Sequence, residues 1–318
     1  MGAGRNSWIG WGQEGTWGTA VAPTKFAELV SENIRAMRVR TPRPVFRDLD
    51  VREGHFYDEK FGAAGPFSIE VNYEGLLRLL EHLTGGTPTT VQVDAGVRWT
   101  HAFTLAAGEL MTGKGLSFQV NKDLTNVNRL FGGKLLGMTL SVDPRRNTLI
   151  ELDLVGKDMD QVGAAAPTFP TGSLYVAGHQ ATVEIDDVAR AVDTVELVIE
   201  NALDDDKRVI GSKQIAEPVR GGDRRGISGT IVADAVDADW TKLNAGTLFK
   251  LEILHQGAAL GTGFYRFDVT ALKCMVTEDP IQVGDSGIIK ATIPFVVQKP
   301  TSGQMLQIDV HNAESAVA

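Results

Sequence analysis

Short stretches of period-two hydrophobicity separated by turn residues dominate the chain, and only two segments carry a helical period. "KFAELVSEN" at residues 25–33 and "VDTVELVIEN" at 192–201 send apolar and polar side chains to opposite faces, as half-buried strands do. "GPFSIEVNYEGLLRLLEHLTGG", residues 65–86, reads as a strand and then a helix. Asn72 is its candidate N-cap, Leu76, Leu80 and Leu83 share a face, and Gly85 closes it. "GISGTIVADAVDADWTKLNAGT", residues 226–247, has the same form, with a strand at Gly229–Ala233, Asp237 or Asp239 as cap and Gly246 as stop. Two hairpin patterns complete the series. "LLGMTLSVDPRRNTLIELDLVG", residues 135–156, turns at Pro144-Arg145-Arg146-Asn147, and "ALKCMVTEDPIQVGDSGIIKATIPFVV", residues 271–297, turns through a longer connection.

The order strand, strand–helix, hairpin therefore occurs twice. "ELVSEN" recurs as "ELVIEN" at an offset of 196 − 28 = 168, the strand–helix at 226 − 65 = 161, and Met138 and Met275 take similar places in the hairpins. This predicts a mainly β chain of two homologous domains, at 26–160 and 179–298, joined by a linker at 161–178. An N-terminal arm at 1–25 and a C-terminal tail at 299–318 flank them. A long loop at 40–65 shows no period and carries three exposed-looking aromatics, Phe56, Tyr57 and Phe61, which suit contact between subunits.

Composition narrows the class. At 318 residues, 43% hydrophobic and 22% charged, the chain is that of an ordinary globular protein, and 35 glycines favour a turn-rich β architecture. The single cysteine, Cys274, excludes an intramolecular disulfide and a thiolate zinc cage, and reads as a small apolar strand residue. No run approaches a membrane-spanning length, no signal-peptide core opens the chain, and "MGAGRNS" misses the myristoylation pattern at Asn6, so synthesis and folding in a cytoplasm are expected. A formal charge of −9 argues against tight nucleic-acid binding, yet suits a surface that DNA slides past.

Chemistry-bearing motifs are weak. Gly10-Trp11-Gly12-Gln13-Glu14-Gly15 formally matches a dinucleotide fingerprint, but Gly18 and Pro23 oppose the helix that must follow it, and the nine residues before it look too broken for a buried strand. The better reading is an exposed arm presenting Trp8, Trp11 and Trp17. "GELMTGKG", Gly108–Gly115, lacks the Ser/Thr of a phosphate loop and reads as a turn between strands. None of His55, His82, His101, His179, His255 and His311 lies at metal-ligand spacing. The carboxylates of Leu203–Arg208 and Asp234–Trp240 do not combine the glycine turn and distal glutamate of a calcium loop, and no nucleophile elbow appears. No catalytic residue, cofactor or metal is expected.

The opening "IGWGQEGTWGTAVAPTKFAELVSENI" resembles the start of the tail tube proteins, or major tail proteins, of long-tailed bacteriophages. Gly10, Gly12, Glu14, Thr16, Gly18, Thr19, Ala20, Pro23 and Thr24 sit where that family's glycine-rich stretch places them. "GAAGPFSIEVNYEGLLRLLEHLTG" and "TVELVIENALDDDKRVIGSKQIAEPVRGGDRRGISGTI" are similar to its later blocks. The resemblance implies a β-sandwich or barrel with a flanking helix in each domain. It also implies rings that stack into a hollow tube of the virion tail, through which the genome leaves. Its partners would be further copies of itself, the tape measure, tail terminator and baseplate proteins, and viral DNA passing without specific binding or membrane insertion.

With two domains per chain, three chains would close a ring of pseudo-sixfold symmetry; six remain possible if one domain lines the bore. Trp8, Trp11 and Trp17 would anchor the arm on a neighbouring ring, and deleting residues 1–18 should permit folding but impair tube growth. For the lumen, the alternating acids Glu28 and Glu32, Glu196 and Glu200, and Glu151 and Asp153 are the candidates. A baseplate or distal-tail component of the same fold is the nearest alternative. A monomeric β-sandwich carbohydrate-binding module is the alternative from another class.

Overall fold

The computed structural model describes residues 6–42, 56–105, 111–123, 125–170, 174–221, 224–281, 289–300 and 304–317. Among these it holds 18 strands and two α-helices, and every strand ladder is antiparallel. The first half contains β1 (Trp8–Gln13), β2 (Lys25–Glu32), β3 (Arg35–Pro42), β4 (Phe56–Glu70), α1 (Leu77–Thr84), β5 (Thr89–Asp94), β6 (Arg98–Thr104), β7 (Leu116–Asn121), β8 (Asn126–Val142), β9 (Leu149–Gly156) and β10 (Asp158–Gly163). The second contains β11 (Ala181–Ile185), β12 (Val188–Arg190), β13 (Val192–Glu200), β14 (Gly226–Asp234), α2 (Asp237–Ala245), β15 (Phe249–Leu260), β16 (Gly263–Val276), β17 (Lys290–Val297) and β18 (Leu306–Asn312).

One layer of the sandwich crosses the whole chain in the order β2–β4–β9–β8–β13–β14–β17–β16. The first four strands and the last four follow the same plan: a glutamate strand, the strand leading to the helix, and the two strands of a hairpin. The other layer repeats too. β7 pairs with β1 and with the N-terminal part of β8, which also pairs with β10. β15 pairs with β11 and with β16 from Gly263 to Cys274, and β16 also pairs with β18. Inward residues of both halves, such as Phe67, Leu152, Leu140, Leu197, Ile231 and Phe295, belong to one continuous core.

The helices differ. In α1, Leu77, Leu79, Leu80 and Leu83 are all buried, so it is enclosed nearly all round, and Gly85 ends it in the left-handed conformation at φ 82°. It starts later than Asn72, whose side-chain oxygen accepts from the Glu74 amide in a preceding turn. α2 is mostly exposed: Leu243 packs partly buried on the core, Asp239 is buried and accepts the Val236 amide at 3.2 Å and both Arg190 guanidinium nitrogens, and Gly246 ends it.

Several expectations are corrected. The N-terminal stretch is a buried strand rather than an exposed arm. Its glycines permit close packing: a Cβ on Gly10 would stand 2.7 Å from the Phe26 ring, and one on Gly12 2.5 Å from the Ala22 carbonyl. Of the stretch expected as a loop at 40–65, residues 40–42 and 56–65 belong to the β3–β4 ribbon, and residues 43–55 lie outside the described set. β3 is exposed on both faces, so it leaves no alternation to read. The tail holds β18, paired on both sides by β16 and β6.

The two halves also align one residue away from the sequence offsets. Leu29 pairs with Ile69, while Leu197 pairs with Gly229, an offset of 229 − 69 = 160 rather than 161. Buried Met138 matches buried Cys274, whereas Met275 faces the other way. A single-residue slip exchanges the two faces of a strand.

Candidate functional site

The continuous layer turns one face to the core and the other to solvent. Register carries the outward positions across the strands: Ser68 opposes Glu151, Glu151 opposes Thr139, and Thr139 opposes Val198. One row along, Asp153 opposes Gly137, which opposes Glu200; Ser141 opposes Glu196. Small and polar side chains thus surround four exposed carboxylates at the centre, without a lysine or arginine in these rows. Asp205, on the connection after β13, joins Glu151, Asp153 and Glu200 around one shallow concavity. Burial, and then the neighbouring charges of Asp205 and Glu151, raise the Asp153 pKa above the ordinary carboxylate value. Closely spaced carboxylates of this kind repel phosphate.

The other two acids singled out from the sequence lie elsewhere. A bulge between Leu29 and Ser31 breaks the alternation that made Glu28 and Glu32 look co-facial. Glu28 accepts the Tyr175 hydroxyl at 3.2 Å in a recess beside the middle of β2, and Glu32 pairs with Lys122 at 2.6 Å while accepting the Ile34 amide.

The tryptophans pack on their own chain, which corrects their expected exposure. Trp8 is 4% exposed and meets Phe26 edge to face at 5.3 Å, and Trp11 is 1% exposed in the main core. Trp17 is partly buried, donates its indole N–H to the Gly132 carbonyl at 2.9 Å, and lies under the Lys157 ammonium. Phe61 is half-buried between Arg38 and Lys213, and Phe56 and Tyr57 begin β4 with side chains outside the described set.

The sequence reading missed Glu14. It is fully buried, and its carboxylate accepts the Ser117 hydroxyl, the Gly132 amide and the Gly18 amide, each at 2.7 Å. A Cβ on Gly115 would stand 2.6 Å from the same carboxylate. The glycines of the fingerprint-like stretch fold the chain around an internal anion instead of cradling a phosphate. β1 does supply the strand such a fingerprint needs, but a turn and β2 follow where it needs a helix. The available signal was one acid inside a glycine-rich run otherwise free of charge.

Other chemistry is accounted for by structure. Met111–Gly115 form a turn before β7, with Gly108–Leu110 outside the described residues. His101 and His255 are buried and hydrogen-bonded to Thr90 and Thr148, respectively. Burial pushes the Cys274 thiol up to about 12. Glu184, Asp187 and Glu252 converge, and the Lys250 ammonium lies 2.6 Å from Asp187 and 2.7 Å from Glu252, so a lysine supplies the cation there. Among the described residues no helix is long and apolar enough to cross a membrane.

Comparison with known proteins gives one answer. No curated protein matches the chain. The family model described as phage tail tube protein matches residues 4–297, nearly its whole length. That family is structural rather than enzymatic, and its place is the virion tail. With its β-rich sandwich, its repeated strand order and this match, the chain belongs to the phage tail tube protein family.

Proposed function

We propose that the chain is a tandem duplication whose copies close into rings, and that the rings stack into the hollow conduit through which viral DNA leaves the capsid. One observation carries this reading: the strand order β2–β4–β9–β8 is repeated as β13–β14–β17–β16, and β8 pairs with β13 where the two meet. The edges joined inside the chain are matched by the two edges at the ends of the layer, β16 and β2. Head-to-tail pairing of those ends is a heterologous contact that closes if the rotation per chain allows it, and it removes the exposed sheet edges. β1 already covers Lys25–Glu28 of β2, so the next copy meets the remainder of that strand.

Three chains supply six such units, which favours a pseudo-sixfold ring. The outward face carrying Glu151, Asp153, Glu196 and Glu200 then lines the bore and repels DNA, which passes without specific binding. Self-association is the primary partnership; tape measure, tail terminator and baseplate proteins complete the tail, after synthesis in the host cytoplasm. Two domains split near residues 161–178 remain part of this reading, with β1 and β18 now assigned to them.

Negative-stain electron microscopy of the purified chain, dilute and then concentrated, tests the proposal. Hollow rings or tubes with threefold rotational averages are expected. Strict sixfold averages with six chains per ring would overturn the stoichiometry, and monomers that bind a glycan would overturn the assembly itself.

A further inference from the structure

The geometry points to a specific plug and socket between stacked rings: the Val209–Ile210 tip of one copy seats in the recess between β2 and β4 of the next. This rests on the ring reading above and names the contact that propagates it.

The plug lies on the connection from β13 to β14. Val209 is 53% exposed, and Ile210 projects completely from the surface. An aliphatic side chain held fully in water at a loop tip has nothing in its own chain to bury it. The tip is nonetheless held in place. Ser212 donates its amide to the Val209 carbonyl, and Arg208 is fixed by Asp206 and the Lys213 carbonyl. The following residues are clamped to β4, where Phe61 donates its amide to the Lys213 carbonyl and the Ile215 amide returns to the Phe61 carbonyl. Phe61 therefore supports the plug. Lys207 stands beside the tip, while Arg208 is paired with Asp206 and Lys213 with Asp58.

The socket is a recess of about 200 Å³ with an apolar wall that includes Trp11, Phe26, Leu29, Leu76 and Tyr175. Its carboxylates are Glu28, Glu70 and Glu74, and among the described residues none of these three joins an ion pair. The apolar wall suits the Val209–Ile210 tip, and the three carboxylates suit the Lys207 ammonium beside it.

Position matches as well. The plug leaves the end of the layer where Glu200 opposes Gly137 and Pro66 opposes Asp153. The socket lies at the other end, where Glu70 opposes Leu149 and Trp8 opposes Glu28. A projection at one end of the strands and a recess at the other cannot satisfy each other within one copy. They form an open-ended head-to-tail contact of the kind that builds stacks.

The test uses the full-length chain. Ile210→Asp should leave the thermal unfolding midpoint and ring formation unchanged, and should raise the concentration needed for tubes about tenfold or more. Ile210→Cys combined with Val30→Cys, at the socket rim, should give a ladder of disulfide-linked multimers under mild oxidation, while either single variant gives none beyond dimers. Buried Cys274 does not compete. Wild-type tubes together with normal tubes from Ile210→Asp and no ladder from the double variant would overturn the plug and leave the ring reading intact. A ladder without rings would support the plug and count against the ring. Absence of ladder, rings and tubes would overturn both.

Discussion

β2 and β13 carry nearly the same six residues, Glu-Leu-Val-Ser-Glu-Asn and Glu-Leu-Val-Ile-Glu-Asn, and meet different neighbours. β13 lies between β8 and β14 from Val195 to Glu200. There Leu197 is 1% exposed, and the fully buried Asn201 donates its side-chain amide to the Leu83 and Leu135 carbonyls, tying the second half to α1 and β8. In β2 the same pattern stands at the end of the layer, interrupted by a bulge: Leu29 is half-buried, while Val30 and Asn33 are exposed. The comparison teaches that one strand motif serves an internal junction in one place and an unfilled edge in the other. The sequence is alike because the strand is alike; the environment differs because only one copy has its partner inside the chain.

The largest effect should come from removing residues 1–18. This deletes β1 with Trp8, Ile9 and Trp11, and the buried carboxylate of Glu14, so the truncated chain is expected not to fold at all. A cooperative unfolding transition in the truncated protein would contradict the strand seen here and restore the exposed-arm expectation. Glu14→Ala isolates one component. It leaves the buried Gly132 amide and the Ser117 hydroxyl proton without their acceptor, at roughly 1–3 kcal/mol each, and releases the partly buried Gly18 amide to solvent, so a loss of about 2–6 kcal/mol in denaturant unfolding is expected.

A matched pair sharpens the comparison of the two glutamate strands. Asn201→Ala removes two buried hydrogen bonds and should cost about 2–3 kcal/mol. Asn33→Ala, at the exposed counterpart, should stay within about 0.5 kcal/mol in the monomer. Equal losses would mean that the two copies are held alike, and that the end of β2 is not a free edge.

The pH response is smaller and involves both halves. Burial, then the charges of Lys134, Arg78 and Lys114, lowers the His82 pKa to about 3; burial lowers His255 to about 4. His311 falls to about 4 through burial and then Arg266, Arg98 and His101. The unfolded chain takes up these protons at its ordinary pKa of 6.5 while the folded chain does not, so stability is complete above 6.5 and declines as pH falls towards 4. Asp268, raised by burial to about 6, has the opposite sign, as do Asp153 and Asp309, so the decline should be steepest just below 6.5. Unfolding free energy measured across that range checks this, and a rise on acidification would refute the assignment. His255→Gln should flatten the slope.

Much of the architecture was legible beforehand. Strands such as those around Glu196 and Ile150 alternate because one face meets the core and the other meets water, and that period is written in residue order. Gly85 and Gly246 stop their helices by a local left-handed turn, which needs no tertiary partner. The order of strand, strand–helix and hairpin, and the resemblance carried by the glycine-rich opening, also lie within contiguous residues, and the resemblance agrees with the family match.

What the tertiary structure alone decided depends on residues far apart in the chain. Gly10 and Gly12 look like strand breakers until Phe26 and the Ala22 carbonyl are brought against them. Glu14 looks like a surface acid until Ser117 and Gly132 arrive from more than a hundred residues away. Glu28 and Glu32 look co-facial until one bulged residue turns the strand, and a one-residue shift likewise separates Met138 from Met275. Local pattern specifies which side chains alternate. Only packing specifies which face becomes the inside, because that is settled by what the other strands bury against it.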